Sequence, residues 1–214
     1  MSTYGTLIAA FGRQYEVRTD AGEILLCVPR GKKSLFACGD RVQIAVTGPG
    51  QGVIDKLLER TSLLYRSDAW RQKLIAANAT QVVLVVATEP SFSDEFLSRC
   101  ICAAESQHQK VLIVLNKIDV LAGLEGARAQ LATFGRLGYP ILELSALDNA
   151  NALRERLIGE TSLLVGQSGM GKSTLTNALI PEARAETREI SEFLDTGKHT
   201  TTFARLYPLP EGGG

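Results

Sequence analysis

Gly166-Gln167-Ser168-Gly169-Met170-Gly171-Lys172-Ser173 is the stretch on which the reading of this chain turns. Two glycines with four residues between them are followed directly by Lys-Ser, the spacing of a phosphate-binding loop. An apolar run, Thr161 to Val165, leads into it, and a helix-like segment, Thr174 to Ile180, leads out. Glycine lets the backbone curl until its N–H groups converge on phosphate oxygens. Lys172 adds a positive charge for the β- and γ-phosphates, and Ser173 offers a hydroxyl to Mg²⁺. The helix that follows aims its positive dipole end at the same point. An ordinary Gly-rich turn needs none of these companions. Gly166, Gln167, Ser168, Gly169, Met170, Gly171, Lys172, Ser173 and Thr174 are therefore expected to cradle a nucleoside triphosphate, with Lys172 also serving catalysis.

Upstream, apolar runs alternate with helical spacing. Val82 to Ala87, Val111 to Leu115 and Pro140 to Leu144 read as strands, the first two uninterrupted, as in strands covered on both faces. Between and after them, Phe92 to Gln107, Leu124 to Leu137 and Asn149 to Ile158 carry helical periodicity, with Phe96, Leu97, Cys100, Ile101 and Ala104 on one face of the first. This order predicts an α/β domain: a mostly parallel sheet with helices on both faces, binding ligands at the carboxyl ends of its strands.

Two of those ends carry base-reading chemistry. Asn116-Lys117-Ile118-Asp119 follows one strand, and Ser145-Ala146 follows the next. A carboxylate at Asp119 accepts from guanine N1–H and N2–H together, whereas adenine would leave it unpaired. Asn116 is expected to donate to the acceptor edge of the base. The Lys117 stem covers the ring plane, and Ser145-Ala146 supplies a backbone N–H to O6. Both elements precede the phosphate loop, the reverse of the usual order in GTPases, so the sheet is read as circularly permuted.

Residues 4 to about 60 read differently, as five short strands: Tyr4 to Ala10, Gln14 to Arg18, Ile24 to Val28, Arg41 to Val46 and Val53 to Leu58. Turn clusters such as Asp20-Ala21-Gly22 and Gly48-Pro49-Gly50 separate them. A five-stranded oligonucleotide-binding (OB) barrel is the leading expectation. Arg30, Lys32, Lys33 and Arg41 gather around one loop as candidate RNA-phosphate contacts, against a merely solvated loop. The domains expected are the barrel over 1–62, a linker over 63–80 with Trp70 packed at the junction, and the nucleotide domain over 81–214.

The 214 residues are 45% hydrophobic and 21% charged, as in a soluble globular protein, and carry no net formal charge. Residues 1–75 hold 11 Lys+Arg against 7 Asp+Glu, a basic tilt compatible with a polyanion partner. Cys27, Cys38, Cys100 and Cys102 lack ligand spacing and are read as reduced, mostly buried thiols. No apolar run approaches the roughly 18 residues of a membrane span, and no leader pattern opens the chain, so a cytoplasmic location is expected.

These motifs, with Arg30-Gly31-Lys32, Gly39-Asp40-Arg41-Val42, Ala76-Ala77-Asn78 and Gly197-Lys198-His199-Thr200-Thr201-Thr202, resemble over essentially the whole chain the RsgA family of circularly permuted bacterial GTPases. The resemblance implies GTP and GDP binding with Mg²⁺, and hydrolysis stimulated by the small ribosomal subunit late in its maturation. It also implies that the barrel docks on ribosomal RNA; a monomer without a membrane partner is expected. In that family the His-Thr-Thr-Thr segment senses the γ-phosphate. Thr201 is the expected second Mg²⁺ ligand beside Ser173, ahead of Thr200, and His199 is a candidate to orient the attacking water or, equally, to fix the loop backbone. His108 reads as a surface residue.

The family's Asp-x-x-Gly does not occur in this sequence, and its C-terminal zinc-binding domain is not represented. The nucleotide domain is thus expected to be C-terminally incomplete, with Phe203–Leu209 a strand lacking a neighbour, weak nucleotide binding and slow hydrolysis. Two other readings stay open on the residues alone. One is a phosphate-loop ATPase or kinase in which Asn116–Asp119 is coincidental. The other is an RNA-binding fragment without efficient hydrolysis.

Overall fold

A computed structural model describes residues 3–31, 36–67, 72–181, 183 and 204–214. They form two compact units: residues 3–79 with 204–207, and residues 80–181 and 183 with 208–214.

In the first unit, β1 (Thr3–Phe11), β2 (Gln14–Thr19), β3 (Ile24–Pro29), β4 (Arg41–Gly48) and β5 (Gln51–Leu57) close into a barrel of order β1-β2-β3-β5-β4. β3 and β5 run parallel, and all other pairs are antiparallel. The alternation legible in the sequence is the alternation of the barrel wall. Leu7, Tyr15, Val17, Leu25, Cys27, Val42, Ile44 and Ile54 point inward as one core. Burial pushes the Cys27 thiol up to about 11 and Cys38 up to about 12, so both stay protonated. Cys100 is half-buried and Cys102 exposed, so of the four thiols only Cys27 and Cys38 fit the expectation of burial.

The 63–80 segment, expected to be a linker, contains an antiparallel ribbon of β6 (Leu63–Ser67) and β7 (Gln72–Ala77). The motifs Gly39-Asp40 and Ala76-Ala77-Asn78 meet where this ribbon joins the barrel. Ala77 N donates to Cys38 O (2.8 Å), and Asn78 Nδ2 donates to Gly39 O (2.9 Å). At Gly39, φ is +93° and any Cβ would overlap the Ala77 carbonyl, so no other residue fits. Asp40 is fully buried; Arg60 grips it through Nε and Nη2, both at 2.7 Å, and Ala37 N donates to it at 2.7 Å. Trp70 lies outside the described residues.

Of the segment Phe203–Leu209, expected to lack a neighbour, Phe203 lies outside the described residues, and the described part finds a neighbour in the barrel. Arg205 bridges Ala9 of β1 in antiparallel fashion, and Leu206 N donates to Ile8 O (2.8 Å). Arg205 also pairs with Glu16 (3.0 Å) and lies over the Tyr207 ring.

The second unit is a parallel sheet of order β10-β9-β8-β11: β8 (Gln81–Ala87), β9 (Lys110–Asn116), β10 (Ile141–Glu143) and β11 (Ser162–Val165). Its helices are α1 (Asp94–Glu105), α2 (Leu124–Arg136), α3 (Asn151–Leu157) and α4 (Lys172–Leu179). Every residue of β8 is buried, as is β9 after Lys110, which places them at the centre. At the amino end of the sheet, Glu160 accepts from Thr80 Oγ1 (2.5 Å) and pairs with Lys110, whose ammonium holds its carboxyl below the usual range. Residues 212–214 meet the chain where it enters β11: Ser162 N donates to Gly214 O (2.7 Å) and Gly214 N to Glu160 O (2.9 Å).

Replacing Asp40 by Ala leaves the Arg60 guanidinium without its buried partner. The first unit is expected to lose about 3 kcal/mol in urea unfolding followed by circular dichroism. A loss under about 0.5 kcal/mol, as at an ordinary surface site, would contradict this role.

Candidate guanine-nucleotide site

Sheet order brings together loops that are far apart in sequence. β8 lies between β9 and β11, with Ala87 level with Asn116 and Leu84 level with Val165. The base motif after β9 and the phosphate loop after β11 therefore flank the end of β8, and Ser145-Ala146 follows neighbouring β10.

Asn116 joins all three. Its side chain is 1% exposed; Nδ2 donates to Met170 O (3.0 Å), and Oδ1 accepts from Ala146 N (3.0 Å). These two partners fix which side of the amide is oxygen. Read from sequence as a base-edge donor, Asn116 is first a tie between loops, with one amide hydrogen left over. Likewise the Ala146 N–H expected at guanine O6 is given to Asn116 within the protein. Ser145 Oγ is buried and has no partner among the described residues, an orphan hydroxyl at the wall of the expected base pocket.

Lys117 sits at φ +62°, and its ammonium donates to Glu89 O (2.8 Å), with Thr88 Oγ1 donating to Lys117 O (3.1 Å). Asp119 is exposed, and among the described residues no donor engages its carboxylate, as a base reader requires.

The phosphate loop is shaped by its neighbours. A Cβ on Gly166 would overlap Val85 O, and one on Gly171 would overlap the Asn116 amide; Gly171 also has φ +87°. Met170, 1% exposed, anchors the loop. Lys172 is half-buried with its ammonium on Gly166 O and Gln167 O (2.8 Å each), and burial lowers its pKa. A phosphate would supply the counter-charge that these carbonyls only approximate. No side chain caps α4, so its first N–H groups are open to an anion. Ser168, Gly169, Ser173 and Thr174 are exposed at this end. The cradle, the helix start without a side-chain cap among the described residues, and the exposed Ser173 fit a Mg²⁺-bound polyphosphate. His199, Thr200 and Thr201 lie outside the described residues.

A feature that motif reading passes over is the loop after β8, residues 88–93. Besides holding Lys117, it packs Pro90 against Gly169 and gives the Ser93 N–H to Gln167 Oε1 (3.1 Å). Its position at a strand's carboxyl end was the available signal.

The barrel arginines have protein partners. Arg30 Nε meets Asp55 at 2.6 Å, and Arg41 holds Asp20 through Nη1 and Nη2 (2.6 and 2.9 Å), drawing that carboxyl below its usual range. Lys32 and Lys33 lie outside the described residues. His108 is exposed, as expected.

The sequence model of the RsgA GTPase family matches residues 57–214. The chain belongs to the RsgA GTPase family. Small ribosomal subunit biogenesis GTPase RsgA of Burkholderia pseudomallei is 55% identical over 214 residues, covering 98% of this chain and 68% of that protein. The crystal structure of YjeQ from Thermotoga maritima matches with a TM-score of 0.74 at 29% identity, over 100% of this chain and 73% of that one. YloQ, described as a circularly permuted GTPase, shares the fold with a TM-score of 0.64 at 23% identity, over 86% of this chain and 66% of that one. RsgA membership makes the chain a GTP hydrolase of the phosphate-loop class, built as a closed five-stranded barrel and a parallel-sheet domain.

Gly171→Ala places a methyl against the Asn116 amide in a left-handed backbone. GDP affinity measured by titration calorimetry is expected to fall about tenfold or more, at least about 1.4 kcal/mol. An unchanged affinity would contradict the shared packing of the two loops.

Proposed function

We propose that the three loops joined by Asn116 bind GTP and GDP, and that the chain hydrolyses GTP in maturation of the small ribosomal subunit, stimulated by that subunit. The observation that supports this reading is the Asn116 tie, which hydrogen-bonds the phosphate loop at Met170 and the Ser145-Ala146 loop at Ala146, with Asp119 exposed three residues further on. Asp119 reads the guanine N1–H and N2–H edge, the Lys117 stem lies on the ring, and Ser145-Ala146 closes the O6 side. The backbone from Gly166 to Thr174 holds the phosphates, and Lys172 moves from its loop carbonyls to the β- and γ-oxygens.

Ser173 and Thr201 would hold Mg²⁺, which neutralises charge on the phosphates when bound. His199 would position the attacking water. A cytoplasmic monomer contacting ribosomal RNA through Arg30, Lys32, Lys33 and Arg41 completes the proposal, supported by the basic tilt of residues 1–75. Phosphate contact by Arg41, which holds Asp20 through both Nη atoms, competes with that pair, and Arg30 uses only Nε on Asp55. Both are exposed pairs whose net worth is small, so an RNA phosphate can compete for them. Zinc has no role in this proposal.

Competition against fluorescent GDP tests the base reading. ADP is expected to bind at least about 100-fold more weakly than GDP. Asp119→Asn should weaken GDP by about 2–3 kcal/mol and bring xanthosine diphosphate into the site. Equal binding of ADP and GDP would return the chain to the general phosphate-loop ATPase reading.

A further inference from the structure

The loop after β8 touches both nucleotide-binding elements at once. On one side Thr88 Oγ1 donates to the Lys117 carbonyl (3.1 Å), and the Lys117 ammonium donates to Glu89 O (2.8 Å). On the other, Gln167 Oε1 accepts from Ser93 N (3.1 Å), and a Cβ at Gly169 would lie 3.3 Å from the Pro90 ring carbons. The loop is itself pinned at both ends. Thr88 is 6% exposed at the end of the buried strand β8. At the other end Ser93 caps α1, its Oγ accepting from Phe96 N (3.3 Å), and Gln130 Nε2 donates to Phe92 O (3.2 Å) and Asp94 Oδ1 (2.6 Å).

We propose that residues 88–93 are a common brace for the base and phosphate loops. Gln167 is the positioning residue on the phosphate side and Thr88 the positioning residue on the base side. This rests on the guanine-nucleotide reading above and deepens it.

The Gln167 side chain matters because its own backbone carbonyl is a temporary partner of Lys172. When phosphate draws the ammonium away, that hydrogen bond is lost, and the curl at Gly166–Gln167 depends on the remaining anchors. The Ser93 N–H is one that a phosphate does not displace. It belongs to the N-cap residue of α1, where an acceptor is favoured by the positive end of the helix dipole as well. Thr88 acts differently. It fixes the carbonyl of Lys117, whose left-handed backbone aims the side chain, so its effect falls on the base and not on the phosphates.

The two sides separate experimentally. Gln167→Met keeps the length of the side chain and removes the acceptor. Thr88→Val keeps the shape and removes the hydroxyl. Affinities for GDP and for guanosine, which has no phosphate, are measured by competition against fluorescent GDP on the full 214-residue chain. Amide hydrogen exchange at Ser93 is followed in parallel.

Gln167→Met is expected to weaken GDP by about 3- to 10-fold, leave guanosine unchanged, and speed exchange at Ser93. Thr88→Val is expected to weaken GDP and guanosine by the same factor. The proposal is overturned if Gln167→Met weakens both ligands equally or neither, if Ser93 exchange does not change, or if Thr88→Val acts on GDP alone. Failure of the unmodified chain to bind fluorescent GDP would instead overturn the guanine-nucleotide reading, and the brace with it.

Discussion

The Asn116 amide is the interaction on which the rest of the site depends. It is buried, and each of its polar ends satisfies a backbone group of a different loop: the Met170 carbonyl and the Ala146 N–H. Removing it would leave both groups unpaired in the interior, at about 1–3 kcal/mol each. Its closeness also constrains sequence elsewhere. Gly171 has no room for a Cβ because the Asn116 amide occupies that space, quite apart from the need for φ +87°. The second glycine of the phosphate loop thus serves packing between loops as well as approach to phosphate.

Chain order is irrelevant to this contact. Asn116 and Met170 are 54 positions apart, but the strands they follow lie on either side of β8. Any cut that preserves the order β10-β9-β8-β11 preserves the site, which is the physical content of circular permutation. The middle position of β8 has its own consequence: the loop that leaves it necessarily runs between the base and phosphate elements, and residues 88–93 use that position to hydrogen-bond both.

Much of this was legible in the sequence where the signal is local. The five barrel strands appear within one or two residues of their expected bounds because inward and outward side chains alternate cleanly, as in the buried Val17, Leu25 and Cys27 against exposed Arg18, Ile24 and Leu26. The central parallel strands β8 and β9 were legible from their unbroken apolar runs. Non-local choices were not. Nothing in Arg205 says that it pairs with Ala9 of the barrel and not with the nucleotide sheet. The β6–β7 ribbon was hidden because its short strands lack a strict alternation and are interspersed with Arg66, Gln72 and Lys73. Asn116 shows a third limit. A polar residue at a strand end reads as ligand-facing, and only the packed structure shows that its amide is 1% exposed and spent on the protein.

The central claim, that loops after β9, β10 and β11 form one guanine-nucleotide site, is tested most directly by mapping bound nucleotide onto the backbone. In two-dimensional amide spectra of the isotope-labelled chain, addition of GDP with Mg²⁺ is predicted to shift residues 116–119, 145–147 and 166–174 together, with the barrel strands of residues 3–57 unmoved. Shifts confined to the phosphate loop, or appearing first in the barrel, would contradict it.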